Sequence, residues 1–206
     1  MTEYTESIRE LEEHRQKKND AALQAAQEAC ETCTRCALCQ TRTNLVYGTG
    51  SSTASLLFIG EAPGAKEDET GIPFVGAAGK LLDRYLIAMD IPRSAVYIAN
   101  ILKCRPPHNR DPLPEESAAC MDHLRAQVRI IRPRLIVCLG RIAAMQLIKP
   151  DVKITREHGL WFEKNGTPMC AIYHPAALLR DPSKREDMYR DFLEIRERLR
   201  LMEEID

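Results

Sequence analysis

Three short apolar runs, ASLLFIG (Ala54–Gly60), VYIAN (Val96–Asn100) and LIVCLG (Leu135–Gly140), each close on glycine or asparagine and are separated by stretches of helical spacing. A continuous apolar run of this length reads as a strand buried on both faces, where an alternating one would be wetted on one side. Such strands alternating with helices imply a parallel sheet covered on both faces, because a parallel crossover is long enough to hold a helix. Between the first two runs, Leu81, Leu82, Tyr85, Leu86 and Met89 fall on one helical face. Before the third, Pro114 suits the first turn of a helix lined by Leu124, Val128 and Ile131. A short helix over Ile142–Leu147 follows. Leu160–Lys164 and Met169–Tyr173 then flank Asn165-Gly166, a dipeptide for a tight hairpin turn, and a charged helix runs from Ser183 onward. The expectation is an α/β fold of three layers, α/β/α, around a central, mainly parallel, four-stranded sheet.

The 206 residues fit one domain with some appended helix. Ser7 to Ala29 is rich in helix formers, with Ile8, Leu11 and Leu23 as a thin apolar face, so residues 1–29 read as an appended acidic helix and 30–206 as the domain. A net charge of −1 hides an uneven distribution. Residues 1–31 hold eight acids and four bases and 194–206 five and three, which leaves 17 acids against 22 bases between them. A mildly basic middle is compatible with nucleic acid and decides nothing alone. The sequence shows neither a secretory leader nor a run of about 18 apolar residues, so a cytoplasmic protein without a membrane partner is expected. In that compartment the eight cysteines call for metal or chemistry before disulfides.

Ligands of open α/β sheets bind beyond the carboxyl ends of the strands. Four segments leave those ends here: Gly60-Glu61-Ala62-Pro63-Gly64, Asn100 with the loop to Cys104, Gly140-Arg141, and His174 to Arg180. Each polar residue has an ordinary reading alone: Glu61 solvated, Asn100 capping a turn, His174 satisfied in its loop. Their convergence on one crevice raises the functional reading.

The runs GEAPGAKEDETGIPFVGAAGKLLD (Gly60–Asp83), YIANILKCRPPHNRDPLPEE (Tyr97–Glu116) and YHPAALLR (Tyr173–Arg180) resemble the family 4 uracil-DNA glycosylases of bacteria and archaea, collinearly from about Cys33 to Leu199. The resemblance implies a monomeric DNA-repair hydrolase that flips deoxyuridine out of single- or double-stranded DNA and releases uracil. It puts cluster ligands on Cys33, Cys36, Cys104 and Cys120. Four thiolates suit zinc or iron–sulfur by spacing alone, and the resemblance chooses one 4Fe-4S cluster, with a structural role. Cys30 and Cys39 keep the same x-x spacing; Arg42 and Asn44–Gly48, at the family's distance from Cys36, favour Cys33 and Cys36. Cys138 and Cys170 read as small core residues.

The resemblance likewise places Phe74 beneath the flipped base and Asn100 on its polar edge, with Ala62 and Gly64 also against the substrate. Bond cleavage builds positive charge on the sugar and negative charge on the base, so Glu61 suits the sugar side and His174 the base side as catalytic residues. Glu67 and Asp68 rank behind Glu61, as residues that shape the loop or cap a turn. Gly64, Gly76 and Gly79 would let backbone approach the phosphates or the pocket closely. Leu178, Leu179 and Arg180 would fill the vacated stack and hold a phosphate, with one leucine packing inward. Some relatives trap DNA covalently through a histidine in an insertion after the second strand; here Cys104–Pro114 is short, although His108 lies in it. His158 occupies a place where a more strongly basic residue is expected. Two rivals are a non-catalytic, metal-stapled nucleic-acid-binding module, which leaves Glu61, Asn100 and His174 unexplained, and a nucleotide-binding redox protein, which lacks a Gly-x-Gly-x-x-Gly run.

Overall fold

The computed structural model describes residues 2–203, and the side chains of residues 2–5, of Ile8 and of residue 203 lie outside what it describes. Its strands are β1 (Thr49–Gly50), β2 (Leu56–Gly60), β3 (Tyr97–Asn100), β4 (Leu135–Leu139), β5 (Trp161–Lys164) and β6 (Thr167–Ile172). They form one sheet in the order β1-β3-β2-β4-β6-β5. The expected count of four strands becomes six. Four of them, β3-β2-β4-β6, run parallel, and β1 and β5 are antiparallel edges. β1 has only two residues and no apolar run, so nothing in its sequence marks a strand; its pairing partner Tyr97–Ile98 defines it.

The helices are α1 (Thr2–Glu31), α2 (Ala65–Thr70), α3 (Ala77–Ala88), α4 (Pro114–Ile131), α5 (Arg141–Leu147), α6 (Ile154–Glu157), α7 (Pro175–Arg180) and α8 (Arg185–Glu203). Alternate residues of each buried strand serve opposite layers, as the period of two requires. Leu57, Ile59, Ala99 and Ile136 pack with Leu124 of α4 and Ala143 of α5. Phe58, Ile98, Val137 and Ile172 pack with Leu82 and Leu86 of α3 and Phe192 of α8. Leu81, Leu82, Tyr85, Leu86 and Met89 all join that second layer, as their spacing predicts.

α1 lies on α4 and reaches the core through Leu23, Ala26 and Cys30, while Leu11 stands 70% exposed. Among the described residues no helix is long and apolar enough to cross a membrane.

The chain leaves β2 for β3 on one side and returns past β2 to β4 on the other. This reversal opens a crevice at the carboxyl end of β2, where Glu61 follows Gly60.

Candidate active site and cysteine chamber

A cavity of about 390 Å³ occupies that crevice, and Glu61, Ala62, Gly64, Phe74, Asn100, His174 and Arg180 all line it. Two backbone bonds prolong the β2–β3 pairing past the strand ends, Ile101 N–H to Gly60 O at 3.0 Å and Leu102 N–H to Glu61 O at 3.0 Å. They seat Glu61 beside Asn100. The strand ends themselves must be narrow: a Cβ on Gly60 would lie 2.4 Å from Asn100 Oδ1 and 2.7 Å from Phe74 Cζ.

Phe74 is 5% exposed, adopts φ 54°, and its ring meets that of His174 at 5.6 Å between centroids, tilted 35°. A phenylalanine rarely holds a left-handed backbone unless its surroundings impose it. Glu67 does so, accepting hydrogen bonds at Oε1 from Val75 N–H at 3.0 Å and Gly76 N–H at 2.9 Å. Asp68, in α2, accepts from Thr43 N–H at 2.9 Å and ties the helix to the chain that precedes β2. Of the three acids of α2, Glu67 therefore shapes the Phe74 loop and Asp68 anchors the helix. Gly79 turns out to serve packing, because a Cβ there would stand 1.8 Å from Phe74 O.

Asn100 is 2% exposed, and its Oδ1 is buried without a hydrogen-bond partner. A buried acceptor left open in a cavity wall is rare and points to an absent donor. His174, expected in a loop, is the N-cap of helix α7: its Nδ1 accepts from Ala176 N–H at 3.1 Å. The ring proton is thereby assigned to Nε2. Burial, with Arg180 nearby, pushes the imidazole down to about 4, so it is neutral at physiological pH. Burial and the adjacent Asp111 push Glu61 up to about 7, against the opposing effect of Arg141.

Asp111 and Arg110, which no motif singled out, also line the cavity. Glu116 in the first turn of α4 accepts from Arg110 at 2.6 and 2.9 Å and from Leu113 N–H at 2.8 Å, clamping the loop that carries Asp111. Four prolines in residues 106–114 were the only forewarning that this loop is rigid. Leu178 is fully buried and Leu179 is 46% exposed, so the two adjacent leucines divide between core and surface; neither lines the cavity. His108 is exposed and does not line the cavity, although Asn109 beside it does. His158 is engaged elsewhere: its Nδ1 lies 2.9 Å from Asp191 Oδ2 and its ring packs on Tyr173.

Cys33, Cys36, Cys104 and Cys120 line a second, small chamber, together with Cys30 and Cys39. Among the described residues no carboxylate lines it. Arg35 Nε donates to Cys33 Sγ at 3.5 Å, Arg42 Nη1 to Cys104 Sγ at 3.3 Å, and Lys103 N–H to Cys120 Sγ at 3.3 Å. Against burial, Arg35 favours the thiolate of Cys33, while burial pushes the Cys104 and Cys120 thiols up, so those two ionise only with a cation in the chamber. His123, whose Nε2 is orphaned, lines the same wall. Among the described residues no three His, Cys, Asp or Glu side chains form a group that holds a single metal ion. The chamber is joined to the cavity by buried Lys103, whose Nζ donates to Asn100 O at 2.7 Å and to Gln127 Oε1 at 2.6 Å. Cys138 and Cys170 are buried in the core, apart from the chamber.

The family model described as the uracil DNA glycosylase superfamily matches residues 47–200, which contain every residue of the cavity. A type-4 uracil-DNA glycosylase of Archaeoglobus fulgidus is 48% identical over 168 residues, 78% of this chain and 84% of that protein. The chain belongs to the type-4 uracil-DNA glycosylases of that superfamily. A type-4 uracil-DNA glycosylase of Thermotoga maritima is 46% identical over 146 residues, 69% of this chain and 75% of its own length. A type-5 uracil-DNA glycosylase of Pyrobaculum aerophilum is 32% identical over 146 residues, 63% of this chain and 64% of that protein. Within the type-4 glycosylases and beyond, then, similarity falls as the type changes. The superfamily match begins at Tyr47, after Cys33 and Cys36.

Proposed function

We propose that this glycosylase flips deoxyuridine out of DNA into the 390 Å³ cavity and hydrolyses its N-glycosidic bond, releasing uracil and leaving an abasic site. The observation that carries this reading is the meeting of Glu61, Phe74, Asn100 and His174 in one cavity at the sheet's switch point, with the Asn100 acceptor unsatisfied.

Phe74 offers its ring as the stacking face for the base. Asn100 Oδ1 accepts from the uracil N3–H while the same amide donates to O4, a pattern cytosine cannot meet. As the bond breaks, negative charge gathers on the uracil O2. The neutral His174 ring donates to it from Nε2, fixed in that tautomer by the α7 cap. Glu61, ionised, offsets the positive sugar and holds the attacking water, accepting its proton. Arg180, on the cavity rim, and the exposed Leu179 are the DNA-facing residues of α7. The short Cys104–Pro114 loop, clamped by Glu116, favours turnover over covalent trapping. The substrate is uracil-containing DNA, single- or double-stranded, met by a monomer in the cytoplasm.

Cys33, Cys36, Cys104 and Cys120 hold a 4Fe-4S cluster in this reading, and when bound it supplies cross-linking, not redox chemistry. Lys103, next to Cys104 in the chain and bonded to Asn100 O, would carry that brace to the wall of the base pocket.

A labelled uracil oligonucleotide incubated with the protein and then treated with alkali tests the activity. Cleavage is expected for the wild type and a loss of about 100-fold or more for Glu61→Ala and for His174→Ala. Full activity in both variants sinks the assignment of roles. Protein purified anaerobically is expected to be brown, absorbing near ~400 nm; colourless protein with stoichiometric zinc contradicts the cluster.

A further inference from the structure

We infer that His123 donates a hydrogen bond from Nε2 to a sulfur of the iron–sulfur cluster and so positions that centre; this rests on the cluster reading above. α4 carries Cys120 and His123 three residues apart, on one helical face, and both line the chamber. His123 Nε2 is buried without a protein partner. Buried polar atoms are paired in all but a few cases, so an orphan in the wall of a ligand chamber has its partner in the ligand.

The other donors of the wall are already committed. Arg35 serves Cys33, Arg42 serves Cys104, and the Lys103 amide serves Cys120. The Lys103 ammonium is turned away, toward Asn100 O and Gln127 Oε1. With no carboxylate among the described residues of the wall, the side-chain acceptors it offers are cysteine sulfurs, joined by the sulfides of a bound cluster. These only accept, which requires the ring proton on Nε2. A hydrogen bond to cluster sulfur draws electron density from the iron–sulfur bonds, weakens their stretching force constants and favours the reduced state.

Resonance Raman spectra of the oxidised cluster, taken on anaerobically purified full-length protein, read this contact without any assay of excision. His123→Leu is expected to retain iron and acid-labile sulfide while its iron–sulfur stretching bands move to higher wavenumber and its midpoint potential falls. His123→Gln, which keeps a donor, is expected to move part of the way back. If the Leu variant does not fold, His123→Ala makes the same comparison. Superimposable bands in a cluster-loaded Leu or Ala variant overturn the inference. Loss of iron in those variants with recovery in His123→Cys overturns it too, since the ring is then a ligand. Wild-type protein without iron and sulfide removes the cluster reading itself, an outcome distinct from both.

Discussion

Arg141 Nη2 reaches Asp111 Oδ2 at 3.2 Å, joining the first residue of α5 to the loop that roofs the cavity beside Glu61. Burial raises the Glu61 carboxyl most; Asp111 adds to that and Arg141 opposes it, so the pair tunes the carboxylate that the proposed hydrolysis needs ionised. With its carboxyl raised to about 7, Glu61 is largely protonated below that pH and ionised above it. The single-turnover excision rate is therefore expected to rise with pH through about 7 and then level off. His174, neutral above about 4, adds no limb in that range. Asp111→Asn removes a neighbouring negative charge and moves the limb to lower pH, whereas Arg141→Gln moves it higher. Rate profiles from pH 5 to 9 in which neither variant shifts the limb refute this control.

Glu67 holds the Phe74 loop through two backbone N–H groups. A hydrogen bond to a charged group contributes about 1.5–3 kcal/mol, so Glu67→Ala is expected to cost about 2 kcal/mol or more. At this chain length that lowers Tm by roughly 4–8 °C. Affinity for uracil-containing DNA falls as well, because the stacking ring loses its fixed backbone. Calorimetry with a binding titration checks both, and an unchanged Tm contradicts the clamp.

Gly60→Ala and Gly79→Ala are expected to fail differently. At Gly60 the new methyl meets Asn100 and Phe74 side-chain atoms, which move aside and spoil the pocket. Activity drops sharply while Tm changes little. At Gly79 the methyl meets the Phe74 backbone carbonyl, which cannot move without its strand-end loop, so stability falls by about 2–3 kcal/mol or more. Paired melting curves and rates separate the two, and equal stability losses argue against the difference.

Asn100→Asp exchanges an amide for a group that only accepts. Excision of uracil is expected to fall by about 100-fold or more, and the carboxylate gains an attraction to the cytosine amino group. Competition between uracil- and cytosine-containing oligonucleotides measures the narrowed preference. Undiminished discrimination would place base recognition elsewhere.

Much of this was legible in advance because it is written locally. The apolar runs at Leu56, Tyr97 and Leu135 are strands wherever they lie, and the Gly or Asn closing each marks a strand end. The Pro114 helix start, the Asn165-Gly166 turn and the motifs around Glu61, Asn100 and His174 needed no partner to be recognised. The two edge strands were harder. β5 shows as half of a hairpin, but β1 is two polar residues that become a strand only by pairing with β3.

Which residues share the cavity, and in what protonation state, depended on the fold. Asp111 and Glu67 are two acids among many in the sequence. Glu67 became the clamp of Phe74, and Asp111 the neighbour of Glu61, through contacts that span eight or more residues. Cys30 and Cys39 keep the spacing of Cys33 and Cys36 and share their chamber, so spacing alone could not rank them; only the resemblance, through Arg42 and Asn44–Gly48, favoured Cys33 and Cys36. Hydrophobic period and turn chemistry are properties of neighbouring residues, and they determined the layers and the strand-end motifs. Burial, which neutralises His174 and raises Glu61, is a property of everything packed around a group, and only the assembled tertiary structure decided it.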